Sequence, residues 1–183
     1  MLDDRNEAPH MTGSAGTTLI VLRGNSASGK SSVAEEIRHR HGRGLAIVGQ
    51  DYLRRNVLWE KDRPGSANID LIDTVARFAL DRGFNVIVEG ILYANHYGEM
   101  LTRLRDDHAG ESHFFYFDAS FEETVRRHRT KPQALEYGER EMREWYRPLD
   151  LLPLVTEHRI PEATTLDEAV DLVMRIARLR VHE

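Results

Sequence analysis

The chain has 183 residues, of which 40% are hydrophobic and 30% charged, with a net charge of −5. That length suits one domain with a proper core, and the balance is too apolar for a disordered chain. The acidic sign disfavours a long nucleic-acid partner, the lack of cysteine excludes disulfides, thiolate zinc sites and cysteine nucleophiles, and no stretch reaches the roughly 18 apolar residues of a membrane span.

Residues Met1 to Gly16 carry Asp3, Asp4 and Glu7 and lack the apolar centre of a signal peptide, so a cytoplasmic location away from membranes is expected. They show no periodicity and are expected to form a disordered tail, followed by a single domain over residues 17–183. From Thr17 to Leu22 the run Thr-Thr-Leu-Ile-Val-Leu is too continuously apolar for a half-exposed strand. It reads as a strand buried on both faces, which belongs to a parallel sheet covered by helices.

A helix is expected from Lys30 to His41, with Val33, Ala34 and Ile37 as its apolar stripe, and then a short strand from Leu45 to Val48. Asn68 to Arg82 is the clearest helix, because Ile69, Ile72, Val75, Ala76 and Ala79 recur at helical spacing and Gly83 stops it. Asn85 to Glu89 reads as a third buried strand. A helix at His96 to Asp107, a strand at His113 to Phe117 and a helix from Phe121 towards Arg129 follow, the last capped by Ser120 with Glu123 three residues on.

Beyond Pro132 a charged helix is expected from Leu135 to Tyr146, ending before Pro148. A last strand spans Glu157 to Ile160, and Thr165 caps an amphipathic helix carrying Leu166, Val170, Val173 and Ile176 on one side. This alternation predicts an α/β fold: a three-layer α/β/α sandwich around a five-stranded parallel sheet.

Between the first strand and the first helix stands Gly24-Asn25-Ser26-Ala27-Ser28-Gly29-Lys30-Ser31, a full match to G-x-x-x-x-G-K-[ST]. A polyphosphate is densely anionic, so inward-pointing backbone N–H groups at a helix N-terminus supply donors and a favourable dipole. Glycine permits the turn and the close approach. Lys30 is expected to reach the β- and γ-phosphates, Ser31 to bind Mg²⁺, and Ser32 to add a hydroxyl near the α-phosphate. ATP and Mg²⁺ are the expected cofactors. The loop alone fits kinases, ATPases and switch proteins equally.

In its phosphate loop and order of elements, the chain resembles the small P-loop kinases that phosphorylate metabolites, antibiotics or sugar acids. These include the chloramphenicol phosphotransferase-like, gluconate kinase-like and zeta-toxin-like groups. The stretch Val48-Gly49-Gln50-Asp51-Tyr52-Leu53-Arg54-Arg55 resembles the segment where those kinases set an acid against the acceptor hydroxyl, which implies that role for Asp51. An alcohol is a poor nucleophile with a high pKa, so a carboxylate within hydrogen-bond reach orients it and takes its proton. The other reading of Asp51 is a cap on a helix starting at Tyr52.

Arg54 and Arg55 are candidates for gripping the acceptor, with one of the two expected to face the cleft because successive helical residues diverge. Val86-Ile87-Val88-Glu89 resembles the strand-plus-acid arrangement that supports the metal in P-loop proteins, although Asp is commoner there. The resemblance implies that Glu89 holds Mg²⁺ or contacts the acceptor, and a purely structural carboxylate at the strand end is the other reading. Tyr93 either flanks the acceptor or is an ordinary half-buried tyrosine.

The run Arg126-Arg127-His128-Arg129-Thr130-Lys131-Pro132 resembles the lid of these kinases, placed here around residues 126–147. That resemblance favours Arg127 and Arg129 as the pair that stabilises the transferring phosphoryl group while the lid excludes water. A solvated charge run is the alternative. Arg38, His39, Arg40 and His41 suit a helix C-terminus and are read as structural. Trp145 and Tyr146 either wall the acceptor site or pack a helix into the core.

The expected function is ATP-dependent transfer of the γ-phosphoryl group to a hydroxyl of a small molecule, a metabolite or an antibiotic. The alternatives are a nucleotide or polynucleotide 5′-kinase, and a nucleotide-dependent switch or binding protein. The identity of the acceptor is not written in the donor loop.

Overall fold

Along β1 (Thr18–Gly24) every residue from Leu19 to Gly24 is buried, because alternate side chains enter two different cores. Leu19 and Val21 join a cluster with Ile72, Ala76, Leu80, Leu101 and Leu104 on one face of the sheet. Ile20 and Leu22 join Val33, Ile37, Val170 and Val173 on the other. Burying one such aliphatic side chain contributes about 1.5–3 kcal/mol, so an all-apolar strand earns its place only with helices on both sides.

The computed structural model describes residues 11–130 and 132–180. Its elements are β1, α1 (Lys30–His41), β2 (Leu45–Gly49), α2 (Ala67–Asp81), β3 (Asn85–Gly90), α3 (Ala94–Asp107), β4 (Glu111–Asp118), α4 (Phe121–His128), α5 (Glu139–Trp145), β5 (Glu157–Pro161) and α6 (Leu166–Ile176). The five strands form one parallel sheet in the order β2-β3-β1-β4-β5. The expected three-layer sandwich is therefore the observed one. Since β1 lies between β3 and β4, the loop that follows it opens into the crevice at the carboxyl ends of the strands, where open α/β sheets bind ligands.

The caps read from the sequence are present. Ser120 Oγ accepts from Glu123 N at 3.3 Å, and Thr165 and Glu168 form a reciprocal capping box. A distant residue serves α2: the Glu60 carboxylate accepts from Asn68 N at 3.0 Å and Ala67 N at 3.1 Å. Those backbone donors, that of Asn68 foremost, hold the Glu60 carboxyl below its usual range.

Three local expectations are corrected. Residues 1–10 and 181–183 lie outside the described residues, but the fold does not begin at Thr17. Thr12 is buried, donates its N–H to Asp107 O at 2.8 Å and accepts from Ala109 N at 2.9 Å. Hydrogen bonding across the sequence ties down a segment that lacks any periodicity of its own.

The turn after Asp51 is π-helical over Tyr52–Val57, with Leu58 N bonded to Leu53 O at 3.0 Å and no side-chain cap from Asp51. The helix expected from Leu135 to Tyr146 forms only over α5, after a 3-10 turn at Pro132–Leu135 and a non-helical stretch up to Gly138. Gly138 is extended at φ −122° and ψ −165° and starts the new helix, while Tyr137 stacks on His128 with ring centroids 4.5 Å apart. Helical continuity would pull that ring away. The lid expected over residues 126–147 is thus the end of α4, a turn and α5, and Lys131 lies outside the described residues.

Candidate active site

Gly24 ends β1 at φ 139°, where a Cβ would stand 2.5 Å from Phe117 O of β4. Only glycine lets the chain leave the sheet so close to its neighbour. Ala27 at φ 59° and Gly29 at φ 110° continue the curl into α1. Gly29 has no side chain to cap the helix, and the first turn holds no acidic residue. The N–H groups and dipole of α1 therefore face the loop's concave side.

Lys30 is buried at 6% exposure, and its ammonium donates to Asn25 O at 2.8 Å and Ser28 Oγ at 3.1 Å. Ser31 Oγ donates to Glu89 Oε2 at 2.9 Å. The absence of a side chain at Gly49 makes room for that carboxylate, since a Cβ there would meet Glu89 Oε1 at 3.0 Å. Hydroxyl and carboxylate oxygens are the hard donors that Mg²⁺ takes, so this pair fits a divalent cation.

Arg127 reaches across from α4. Its Nη1 donates to Ser28 O at 2.9 Å, its Nη2 to Glu162 O at 2.6 Å and its Nε to Glu123 Oε1 at 2.5 Å. Hydrogen bonds from Arg126 and Arg127 lower the Glu123 carboxyl to about 2. Arg129, expected to act with Arg127, instead has a 73% exposed side chain, 3.7 Å from Glu139. Two residues further along a helix end, the direction is reversed towards solvent.

Two cavities meet the loop. One of about 320 Å³ is lined by Ser28, Gly29, Ser32, Arg127, Glu162 and Thr165. The other, of about 630 Å³, holds Ser26, Asp51, Arg54, Arg55, Tyr93 and Trp145 among its lining residues. A wider hollow of about 990 Å³ lies along the outer side of α1, by Glu35 and Arg43, and touches the loop sequence only at Ser32.

In the second cavity Asp51, with a 67% exposed side chain, pairs with Arg54 at 2.8 Å, and Arg55 pairs with Glu136 at 2.5 Å. Both arginines line the cavity, not one, because Arg54 turns back to Asp51 and Glu60 O while Arg55 reaches across to Glu136. Tyr93 OH donates to Trp145 O at 2.6 Å, and burial pushes the phenol up to about 12, so it stays a donor at neutral pH. Trp145 and Tyr146 part company. Trp145 lines the cavity, while Tyr146 packs edge-on against Phe121 with centroids 5.5 Å apart.

Several contributors went unseen in the sequence. Asp62 lines the same cavity and accepts from Gln50 Nε2 at 2.9 Å and Tyr97 OH at 2.8 Å. Gln50 in turn accepts from Leu92 N at 3.0 Å, and Gly90 must stay a glycine because a Cβ would lie 2.4 Å from Gln50 Oε1. Lys61-Asp62-Arg63 before Pro64-Gly65 looks like any charged turn, so nothing local marks it. Beneath the loop, fully buried Arg23 pairs with Glu157 at 2.8 Å and Asp150 at 3.2 Å. Its position just before Gly24 was the one available hint.

A family model described as an AAA domain matches residues 19–149. No curated protein matches the chain. The APS kinase of Mycobacterium tuberculosis, solved in complex with AMPPNP and APS, superposes with a TM-score of 0.70 at 20% identity, covering 92% of this chain and 99% of that one. A gluconokinase from Sinorhizobium meliloti 1021 gives 0.58 at 20% identity, over 90% of this chain and 95% of that one. A sugar kinase from Janibacter sp. gives 0.64 at 15% identity, over 89% and 95%. At these identities the likeness to these three kinases is one of fold.

Proposed function

For this chain, a member of the AAA domain family, we propose an ATP- and Mg²⁺-dependent kinase that transfers the γ-phosphoryl group to a hydroxyl of a small molecule. The observation that carries this reading is the pair of cavities on either side of one phosphate loop. One is bordered by Ser28, Gly29 and Ser32, the other by Ser26. A switch protein or simple ATPase needs the first. A phosphotransferase also needs the second, and this one is a polar and aromatic space large enough for a small acceptor.

In this reading the backbone of residues 24–29 and the Lys30 ammonium bind the phosphates, and Arg127 balances charge on the group in flight. Ser31 and Glu89 hold the divalent cation. When bound, that ion neutralises the phosphate oxygens. Asp51 accepts a hydrogen bond from the acceptor hydroxyl and takes its proton as the new P–O bond forms and the bond from the γ-phosphorus to the β,γ-bridging oxygen breaks, leaving ADP. Arg54 holds the Asp51 carboxylate and lines the wall beside Arg55. Tyr93, whose proton is given to Trp145 O, offers the acceptor an aromatic face or a lone pair of its hydroxyl.

The test is a screen of hydroxyl-bearing metabolites, antibiotics and nucleosides for ATP-dependent gain in mass of one phosphate, repeated with Asp51→Asn. The variant should bind ATP as the wild type does and lose acceptor-dependent ADP production by about 10²–10⁴-fold. Unchanged turnover would remove Asp51 from the mechanism. Phosphate transfer to oligonucleotide 5′ ends would replace the small-molecule acceptor by a nucleic-acid end, and ADP release indifferent to every acceptor would favour a switch.

A further inference from the structure

The loop is not a free-standing cradle. Asn25 Nδ2 donates to Arg147 O at 2.8 Å, and Arg147 N donates back to Asn25 Oδ1 at 2.9 Å. One residue on, Ser26 Oγ and Tyr137 OH are 3.3 Å apart. Ala27 packs against the small apolar cluster of Phe121, Val125 and Met142. Three successive loop residues thus touch the 137–147 segment or its core, and that segment supplies Tyr137, Glu141 and Trp145 to the second cavity.

Of these contacts the one at Asn25 has the most specific chemistry. A carboxamide offers a donor and an acceptor side by side, which answers both the N–H and the C=O of one peptide residue. Aspartate supplies acceptors alone. Asn25 is 5% exposed, so little water competes for the pair. Its own carbonyl oxygen accepts from Lys30 Nζ at 2.8 Å. Its main chain therefore answers to the phosphate-binding lysine and its side chain to the wall of the second cavity.

We propose that Asn25 is a positioning residue that couples occupancy of the phosphate loop to the placement of residues 137–147. The inference rests on the nucleotide reading of the loop. When the Lys30 ammonium turns to a phosphate, the Asn25 carbonyl loses that donor and keeps the weaker one from Ser28 N at 3.3 Å, and the loop adjusts at that residue. The buried amide clasp carries the adjustment to Arg147, because breaking it would strand two polar groups away from water. Arg147 O also accepts from Tyr116 OH at 3.3 Å, and Asp150, three residues on, is anchored to Arg23. With its far end fixed, the segment responds by moving α5 rather than its base. The coupling is reciprocal, so an ordered cavity wall tightens nucleotide binding.

The experiment is amide hydrogen exchange on the full chain with and without Mg²⁺–AMP-PNP, with nucleotide affinity measured by calorimetry. In the wild type the nucleotide should slow exchange at residues 139–147 by about 5- to 150-fold. Asn25→Ala should bind AMP-PNP more weakly, by about the same factor, and at saturating nucleotide it should protect residues 28–33 and no longer protect 139–147. Asn25→Asp, which keeps the bond from Arg147 N but sets a carboxylate oxygen against Arg147 O, should lose the protection of 139–147 as well, and it carries the test if the alanine variant does not fold. Equal protection of α5 in wild type and variants overturns the coupling while leaving nucleotide binding intact. No binding of AMP-PNP by the wild type overturns the nucleotide reading and the coupling together.

Discussion

Ser31 Oγ donates to Glu89 Oε2 at 2.9 Å, joining the first turn of α1 to the end of β3 across 58 residues of sequence. Two hard oxygen donors meet beside the phosphate loop at the carboxyl edge of the sheet. Glu89→Gln keeps the shape of this pair and removes its charge. It should weaken the apparent affinity for Mg²⁺ in nucleotide turnover by about 10–100-fold. Binding of metal-free ATP should stay within about twofold, measured by calorimetry in the presence of a chelator. Equal Mg²⁺ titrations for the two proteins would take Glu89 out of the metal site.

Arg127 and Arg129 should separate cleanly. Arg127 donates to Ser28 O at 2.9 Å, whereas the Arg129 side chain is 73% exposed. Arg127→Ala should lower turnover by about 10²–10³-fold, the scale of a lost transition-state donor. Arg129→Ala should change it by no more than about twofold, as for a screened surface charge. Steady-state ADP release on the two variants decides the matter, and a larger loss at Arg129 would require a closed arrangement of this segment that brings it inward.

Arg23→Met should cost about 3–5 kcal/mol of stability, because it leaves Glu157 without its charged partner. The Glu157 side chain is 1% exposed and cannot turn to water. A fall in the urea midpoint at constant slope would report this. Adding Glu157→Gln should recover part of the loss, since the stranded charge goes with it.

The His108 imidazole is held below its ordinary pKa by burial, and its ring bonds Thr17 Oγ1 at 3.0 Å and Ser112 Oγ at 2.9 Å. The folded protein thus resists a proton that the unfolded chain accepts near pH 6.5. Its contribution is intact above about pH 6.5 and is lost progressively as the pH falls below it towards the depressed folded value. Melting temperatures from pH 8 to pH 5 should drop further for the wild type than for His108→Gln. Parallel profiles would clear His108 of this role.

Much of the fold was legible because it is written in neighbours. Lys30–His41 was read with its observed bounds, and the other regular helices and strands were found within a few residues, since spacing of apolar residues fixes which face is buried. Asn25 was assigned to the loop by the motif alone. Its clasp on Arg147, 122 residues away, was invisible, because a reciprocal amide bond to a backbone leaves no pattern in the partner's side chain.

The sequence by itself determined the sheet, its covering helices and the phosphate loop, each a consequence of local periodicity, steric freedom at glycine and the polarity of a helix end. Only the tertiary structure decided which distant side chains meet. Arg127 turns to Ser28 while Arg129 turns to solvent, both cavity arginines face inward, and Asp62 joins a wall that no motif marks. The π-helical turn after Asp51 and the break at Gly138 were decided there too. Both arise from packing and long-range hydrogen bonds, which outweigh the weak local preference for a continuous helix.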